Sequence, residues 1–232
     1  MKKYGIIGAM DSEITAFCRD FNAIETKHAG ILCGTCGENE IYICRSGIGK
    51  VNAAIAAQRL IDLCGVEYVI NSGVAGGVAK QLNKLDIVIS NKLAYHDFSP
   101  LDLLEKYPPY ASFMQADEEL IQKANEACKK LNSTLAAEGK PAFCAHNGTV
   151  VSGDCFVSSS EKAEQLRHNF DALCTEMEGA AIAHVCKVNG IPFVIIRAIS
   201  DFADEDAENS FDSFEIVAAD RAAFIVKEIV LQ

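Results

Sequence analysis

Apolar positions along the chain switch between two periods. Short continuous apolar runs are followed by stretches whose apolar residues recur every three or four positions, the pattern of strands alternating with helices. KYGIIGAM at 3–10 stops at Gly8 and gives way to helical spacing from Ile14, with Asp11 and Ser12 suited to the helix start. Segments 30–36 and 40–45 predict a hairpin that turns at 37–40, GENE. SGIGK at 46–50 opens a helix from Val51 to about Cys64, EYVINSGVAGGV at 67–78 is a buried strand running into a glycine-rich turn, and DIVISNKLAYHD at 86–97 is a further strand. Leu120, Ile121, Ala124, Ala127, Cys128 and Leu131 share one face of a helix from Ala116 to about Leu135. A strand at 142–151 ends in VSGDCF, and SSSEKAEQLRHNF begins a serine-capped helix. Ala172 to Thr175 is strand-like, and Gly179 to Val188 is a helix of small residues fit to pack under a sheet. The last helix runs from about Phe211 to Val230, capped by Asn209 or Ser210. Residues 98–115, broken by Pro100, Pro108 and Pro109, follow neither period and read as a lid, a subunit contact or plain irregular surface. The alternation predicts an α/β fold in a single domain, with a central mixed, largely parallel twisted β-sheet flanked by α-helices.

One stretch stands out within that pattern. IPFVIIRAISDFAD at 191–204 has the apolar continuity of a strand crossing the middle of a sheet, yet it presents Arg197, Ser200 and Asp201. Buried charge is costly unless paired, and the strand ends of α/β proteins are where ligands bind. An internal Arg197–Asp201 ion pair capping the strand is the plain structural alternative. Other polar groups gather at similar junctions. Ala9, Met10 and Glu13 fall at the carboxyl end of the first strand, and Glu176 and Glu178 flank Met177 at a strand-to-helix switch. Glutamates at a helix start are also ordinary partners of the positive end of the helix dipole. Gly73, Gly76 and Gly77 either let backbone approach a ligand or make a tight turn.

Composition narrows the chemistry. The 232 residues carry 21 Lys and Arg against 32 Asp and Glu, a formal charge of −11, so nucleic acid and anionic membranes would be repelled. The apolar part of the first ten residues is too short for a signal peptide, and no apolar run approaches the ~20 residues of a membrane span. The ten cysteines lie largely inside apolar runs, among them Cys44, Cys64, Cys174 and Cys186, which fits reduced thiols and a cytoplasmic location. Cys33 and Cys36 alone have metal-like spacing and lack a second pair, so no metal is expected. Among the histidines, His184 reads as core, His28 and His146 as superficial and His168 as a helix cap; none has a spacing that points to nucleophilic catalysis.

Taken together, GIIGAM with Glu13, SGIGKVNAA, NSGVAGG, VSGDCF, EMEGAAIAHVC, RAISDFAD and SFDSF occur in the order and spacing of the 5′-methylthioadenosine/S-adenosylhomocysteine nucleosidases of the nucleoside phosphorylase superfamily, which the chain resembles over nearly its whole length. The resemblance implies cofactor-free hydrolysis of the bond between adenine and a 5′-thioribose, in a homodimer whose loops cover one another's sites. It casts Asp201 as the acid that protonates ring nitrogen seven of adenine, Glu13 as the base that aims water at the anomeric carbon, and Arg197 and Ser200 as the groups that orient them. Glu178 would grip the ribose diol and Met177 pack on the sugar. Phe156 and Val157 would form the adenine slot, and Ala9, Ile48, Val74, Glu176 and Phe211 complete the substrate pocket. The chain departs from the family at Val74, where a serine is usual, and in FSPLDLLEKYPPY at 98–110, where Phe98, Leu103, Tyr107 and Pro109 are expected to supply apolar closure. Three other readings stay open: a phosphorolytic enzyme, a hydrolase of another 6-amino nucleoside such as 5′-deoxyadenosine or aminodeoxyfutalosine, and a non-catalytic purine-binding protein.

Overall fold

Strand and helix alternate along the chain where the apolar period changes. In the computed structural model, β1 (Lys3–Gly8) leads into α1 (Asp11–Asp20), the short β2 (Ile24–Glu25), and the hairpin β3 (Ile31–Cys36) and β4 (Asn39–Arg45). Then come α2 (Lys50–Cys64), β5 (Tyr68–Gly77) and β6 (Ile87–Tyr95). The proline-rich segment contains one helical turn, α3 (Leu103–Lys106), and β7 (Met114–Gln115). The remainder is α4 (Glu118–Ala137), β8 (Ala145–Ser152), α5 (Ser160–Phe170), β9 (Ala172–Glu176), α6 (Gly179–Asn189), β10 (Phe193–Asp201) and α7 (Ala207–Leu231). The structure describes residues 1–205 and 207–232, without the side chains of 208–213 and 215. Asp117 caps α4 by accepting from Leu120 N at 3.0 Å, and Ser159 caps α5 in the same way through Lys162 N.

The strands form one mixed sheet in the order β2-β3-β4-β1-β5-β9-β8-β6-β10, and β10 pairs back onto β5, so the second half of the sheet closes on itself. β10 runs parallel to β5 and antiparallel to β6, and all nine of its residues are buried. Alternation along it sends Phe193, Ile195 and Ile199 into the core that includes α2 and α6, and Val194, Ile196 and Ala198 into the core that includes α1, α4 and α7. Arg197 interrupts this apolar sequence. The β10–β5 register shifts between Ile199 and Asp201, an irregularity of the kind that re-aims side chains at the end of a strand.

Two expectations are corrected. Gly73, Gly76 and Gly77 belong to β5 and make no turn, because β10 pairs along β5 as far as Gly76 and β9 takes up Gly76 and Gly77 from the other side. The last helix begins at Ala207, earlier than expected, which puts Asn209 and Ser210 inside it and not at its cap. Among the described residues no helix is long and apolar enough to cross a membrane.

Candidate active site

Arg197 projects from the middle of β10 into a space bounded by the carboxyl ends of β1, β5, β9 and β10. Its side chain is 1% exposed and faces three carboxylates: Glu176, bonded directly to Nη2, Glu178 at 3.6 Å and Glu13 at 3.8 Å. Asn71 Oδ1 accepts from Nη2 at 2.5 Å and the Val74 carbonyl accepts from Nη1 at 3.2 Å. The Arg197–Asp201 pair considered from sequence does not form, because the two lie four residues apart along an extended strand, about 13 Å, and the register shift after Ile199 gives Asp201 other partners.

Each carboxylate is fixed by backbone amides. Glu13, at the third position of α1, accepts from Ala9 N at 2.6 Å and Met10 N at 3.1 Å through one oxygen and from Val74 N at 3.1 Å through the other. Its contact with β5 passes over Gly73, where a Cβ would collide with both Glu13 Oε1 and Arg197 Nη1; hence glycine at that position. Glu176 occupies the start of α6, accepting from Glu178 N at 3.0 Å and Gly179 N at 2.8 Å as well as from Arg197 and Ser152 Oγ. Ser152 is itself held by Ala180 N at 2.7 Å. Glu178 accepts from Gly49 N, at the start of α2, at 2.8 Å. Asp201 lies at the other side of the space, where its two oxygens accept from Ala203 N at 2.9 Å and Ser200 Oγ at 2.8 Å.

These groups line a single cavity of about 260 Å³, near the small end of the ~300–1,000 Å³ typical of ligand sites. Glu13, Glu176, Glu178, Arg197, Ser200 and Asp201 form its polar side; Ala9, Ile48, Val74, Phe156, Val157 and Met177 form its apolar side. Every catalytic and substrate-pocket candidate named from sequence therefore meets in one place, the closure residues of the 98–110 segment apart, except Phe211, whose side chain lies outside the described residues. Met10 and Gly76, both marked in the sequence as near a ligand rim, also line the cavity, as do Ala75, Cys155 and Thr175, which only their positions beside named motifs could have flagged. Asn71, Ser152 and Gly49 act from behind the lining, and no periodicity marks such a role. Glu176 has both oxygens engaged by protein donors, so its work is to hold Arg197 and the start of α6. Val74 uses its backbone N–H and C=O to hold Glu13 and Arg197, a task that does not depend on its side chain. Phe98, Leu103 and Tyr107 are exposed and Pro109 is buried; none of the four lines this chain's own cavity.

Burial and crowding set the electrostatics. Burial pushes the Glu13 carboxyl up, and Arg197 with three backbone amides only partly reverses that. Burial, then the neighbouring Glu176, pushes Glu178 up to about 7. Burial likewise raises Asp201, against the donors from Ala203 and Ser200. For Arg197 burial works downward, but the facing glutamates more than offset it and leave the guanidinium above its ordinary value. The site thus holds three carboxyls raised above their ordinary values, Glu178 to about 7, in one cavity with a charged guanidinium, an arrangement suited to general acid–base chemistry on a bound polar ligand. His184, half-buried, meets Tyr95 Oη at 3.1 Å and takes no part.

A pH-dependent stability follows from Glu178. Its folded value of about 7 lies above the ordinary 4.5, so the native state binds this proton more tightly than the unfolded chain. The associated stability is complete below the ordinary value and is lost as pH rises through about 7. Glu178→Gln is expected to gain roughly 1–3 kcal/mol on the parent protein between pH 5 and pH 8, measured by urea unfolding at both. A gain that stays flat or reverses over that interval contradicts this account of the carboxylate cluster.

Comparison with known proteins shows the family. The sequence model of the phosphorylase superfamily matches residues 3–231. The structure is similar to that of the 5′-methylthioadenosine/S-adenosylhomocysteine nucleosidase of Neisseria meningitidis, at 36% identity and a TM-score of 0.89 over 100% of this chain and 99% of that one. It is similar to the corresponding nucleosidase of S. pneumoniae at 32% identity and 0.87, covering 99% and 98%. A futalosine hydrolase of Helicobacter pylori, in mutant form, matches at 33% identity and 0.87, covering 99% of both chains. With nearly its entire length matched in sequence, and its sheet and helices superimposing end to end on these enzymes, the chain belongs to the phosphorylase superfamily.

Proposed function

We propose that the chain is a hydrolase that cleaves the N-glycosidic bond of 5′-thio-substituted adenine nucleosides, 5′-methylthioadenosine and S-adenosylhomocysteine. The observation that carries this reading is the meeting of Glu13, Glu178 and Asp201 in one cavity, with Arg197 behind the two glutamates. Asp201, raised by burial, delivers its proton toward ring nitrogen seven so that adenine leaves neutral. Ser200 holds the acid in place. Phe156 and Val157 enclose the base, Met177 packs on the sugar, and Glu178 accepts the ribose hydroxyls. The negative charge of Glu178 beside a sugar that becomes cationic strengthens this contact in the transition state. Glu13 takes the proton from the attacking water, while its three amide donors keep the remaining lone pairs directed at the cavity.

Water is favoured over phosphate by what already fills the anion-binding positions. The first amides of α2, at Gly49 and Lys50, are satisfied by Glu178 and Asp154 at 2.8 Å each, and the Lys50 ammonium is held by Asp97 at 2.7 Å. Arg197 is taken up by carboxylates. A phosphate entering beside Glu13 would meet like charge, at a cost on the order of 1–4 kcal/mol per contact near 4 Å. The similarity to a futalosine hydrolase supports a second reading, in which the 5′ position carries a larger carbon substituent. Ile48, Val51, Ile55, Phe98, Tyr107 and Phe156 are exposed apolar side chains on or beside the cavity mouth, α2 and the 98–110 segment, and a second copy of this chain covering them supplies the dimer. The free cysteines suit a reducing cytoplasm.

Asp201→Asn and Glu13→Gln should each lower the rate of adenine release by about 10³-fold or more while leaving adenine-analogue binding within a few-fold of the parent. Release from a panel containing methylthioadenosine, S-adenosylhomocysteine, 5′-deoxyadenosine, aminodeoxyfutalosine and futalosine should be unchanged by phosphate. Formation of a ribose 1-phosphate product, or near-parental rates in either variant, overturns the reading; preference for futalosine moves it to the second one. Analytical ultracentrifugation at micromolar concentration should give twice the chain mass, and a monomer there removes the dimer.

A further inference from the structure

Outside the cavity, a second group of chemically active side chains lies where β6 and β8 begin. Asp86, Cys144 and His146 bring a carboxylate oxygen, a thiol sulfur and a ring nitrogen within 4.8 Å of one another, and none of the three lines the cavity. We infer that they form a binding site for a divalent transition metal of the zinc class.

Topology places the donors. Cys144 and His146 are two residues apart in extended chain, so their side chains leave the same face. The pairing of Ile87 with Ala145 and Val88 with His146 sets Asp86 beside them. Asp86 is 3% exposed and pre-oriented: one oxygen accepts from Cys144 N at 2.8 Å and keeps acceptor capacity, and the other accepts from Asn83 N at 2.8 Å and, at the long distance of 3.4 Å, from Asn83 Nδ2, a contact that an ion at this oxygen displaces. His146 Nε2 stands 3.4 Å from Asp86 Oδ2. That is long for a hydrogen bond to a carboxylate, and it matches the edge of about 3.3 Å between N and O ligands each ~2.0–2.1 Å from a tetrahedral zinc ion. Cys144 is exposed and makes no disulfide, which leaves the fourth position to solvent. A sulfur, an imidazole and a carboxylate together select zinc-like ions over magnesium or calcium, which prefer oxygen alone.

The neighbouring cation is engaged elsewhere. Arg221 donates to the Leu85 carbonyl at 2.6 Å and lies over the Phe143 ring at 4.8 Å. Its charge still opposes a metal ion, so an affinity on the order of micromolar is expected, well short of a buried four-ligand site. The Asp86 carbonyl accepts from Ile199 N at 2.9 Å, two residues before Asp201, so a bound ion braces the strand that carries the proposed acid from behind.

Titration of the metal-free, reduced protein with Co²⁺ tests the site directly. One equivalent should bind with a thiolate-to-cobalt charge-transfer band in the near ultraviolet, and Zn²⁺ should displace it. Cys144→Ser should abolish the band and His146→Gln should weaken binding about 10- to 100-fold. Both are surface or half-buried positions, and unchanged circular dichroism will show that the variants fold. No band in the parent protein, or a band undiminished in Cys144→Ser because another thiol holds the cobalt, overturns the inference.

Discussion

A single guanidinium facing three carboxylates, shut away from water, is the constraint around which this molecule is built. An uncompensated charge of either sign in such a place would cost several kcal/mol. The chain meets that cost in three ways. Arg197 neutralises part of the negative charge, backbone amides at the starts of α1, α2 and α6 supply hydrogen bonds to the rest, and one carboxylate is left able to keep its proton. The same arrangement leaves Glu178 balanced between its two protonation states near neutrality, so its charge answers to whatever is placed beside it.

The architecture follows from this need. Helix starts can point at the cluster only if strands end there, which a sheet of mixed direction closing from β10 back onto β5 provides. Gly73 lets Glu13 and Arg197 approach each other across β5. The shifted register after Ile199 lets one strand line the cavity at two places, with Arg197 among the glutamates and Asp201 beside Ser200 and Ala203. Ser152, from β8, ties the start of α6 to Glu176 and so indirectly positions the guanidinium.

Much of this was legible in the residues. Charge at the end of a nine-residue apolar strand is expensive enough to announce a function, and Glu13, Glu178 and Asp201 all sit at period changes that place them on one rim. What the residues could not reveal was pairing. Arg197 and Asp201 look like partners because they are near in sequence, whereas the guanidinium bonds Glu176 from β9 and Asn71 from β5, a matter of which strands become neighbours. The glycines of β5 imitate a turn until β10 and β9 are seen to occupy its edges. Cys144 and His146 carried no signal because their third companion, Asp86, is far away in sequence. Val74, a departure in the sequence, holds Glu13 and Arg197 through backbone groups that strand pairing alone brings into place.

The central claim is that one guanidinium cannot keep three neighbouring carboxylates ionised at neutral pH. The most direct measurement is a pH titration by carbon-13 NMR of ligand-free protein labelled at glutamate Cδ. The account predicts one glutamate titrating at about 7, its resonance missing from Glu178→Gln. If every glutamate instead ionises below about pH 5.5, near the ordinary range, the account of a carboxyl raised by burial and crowding is wrong.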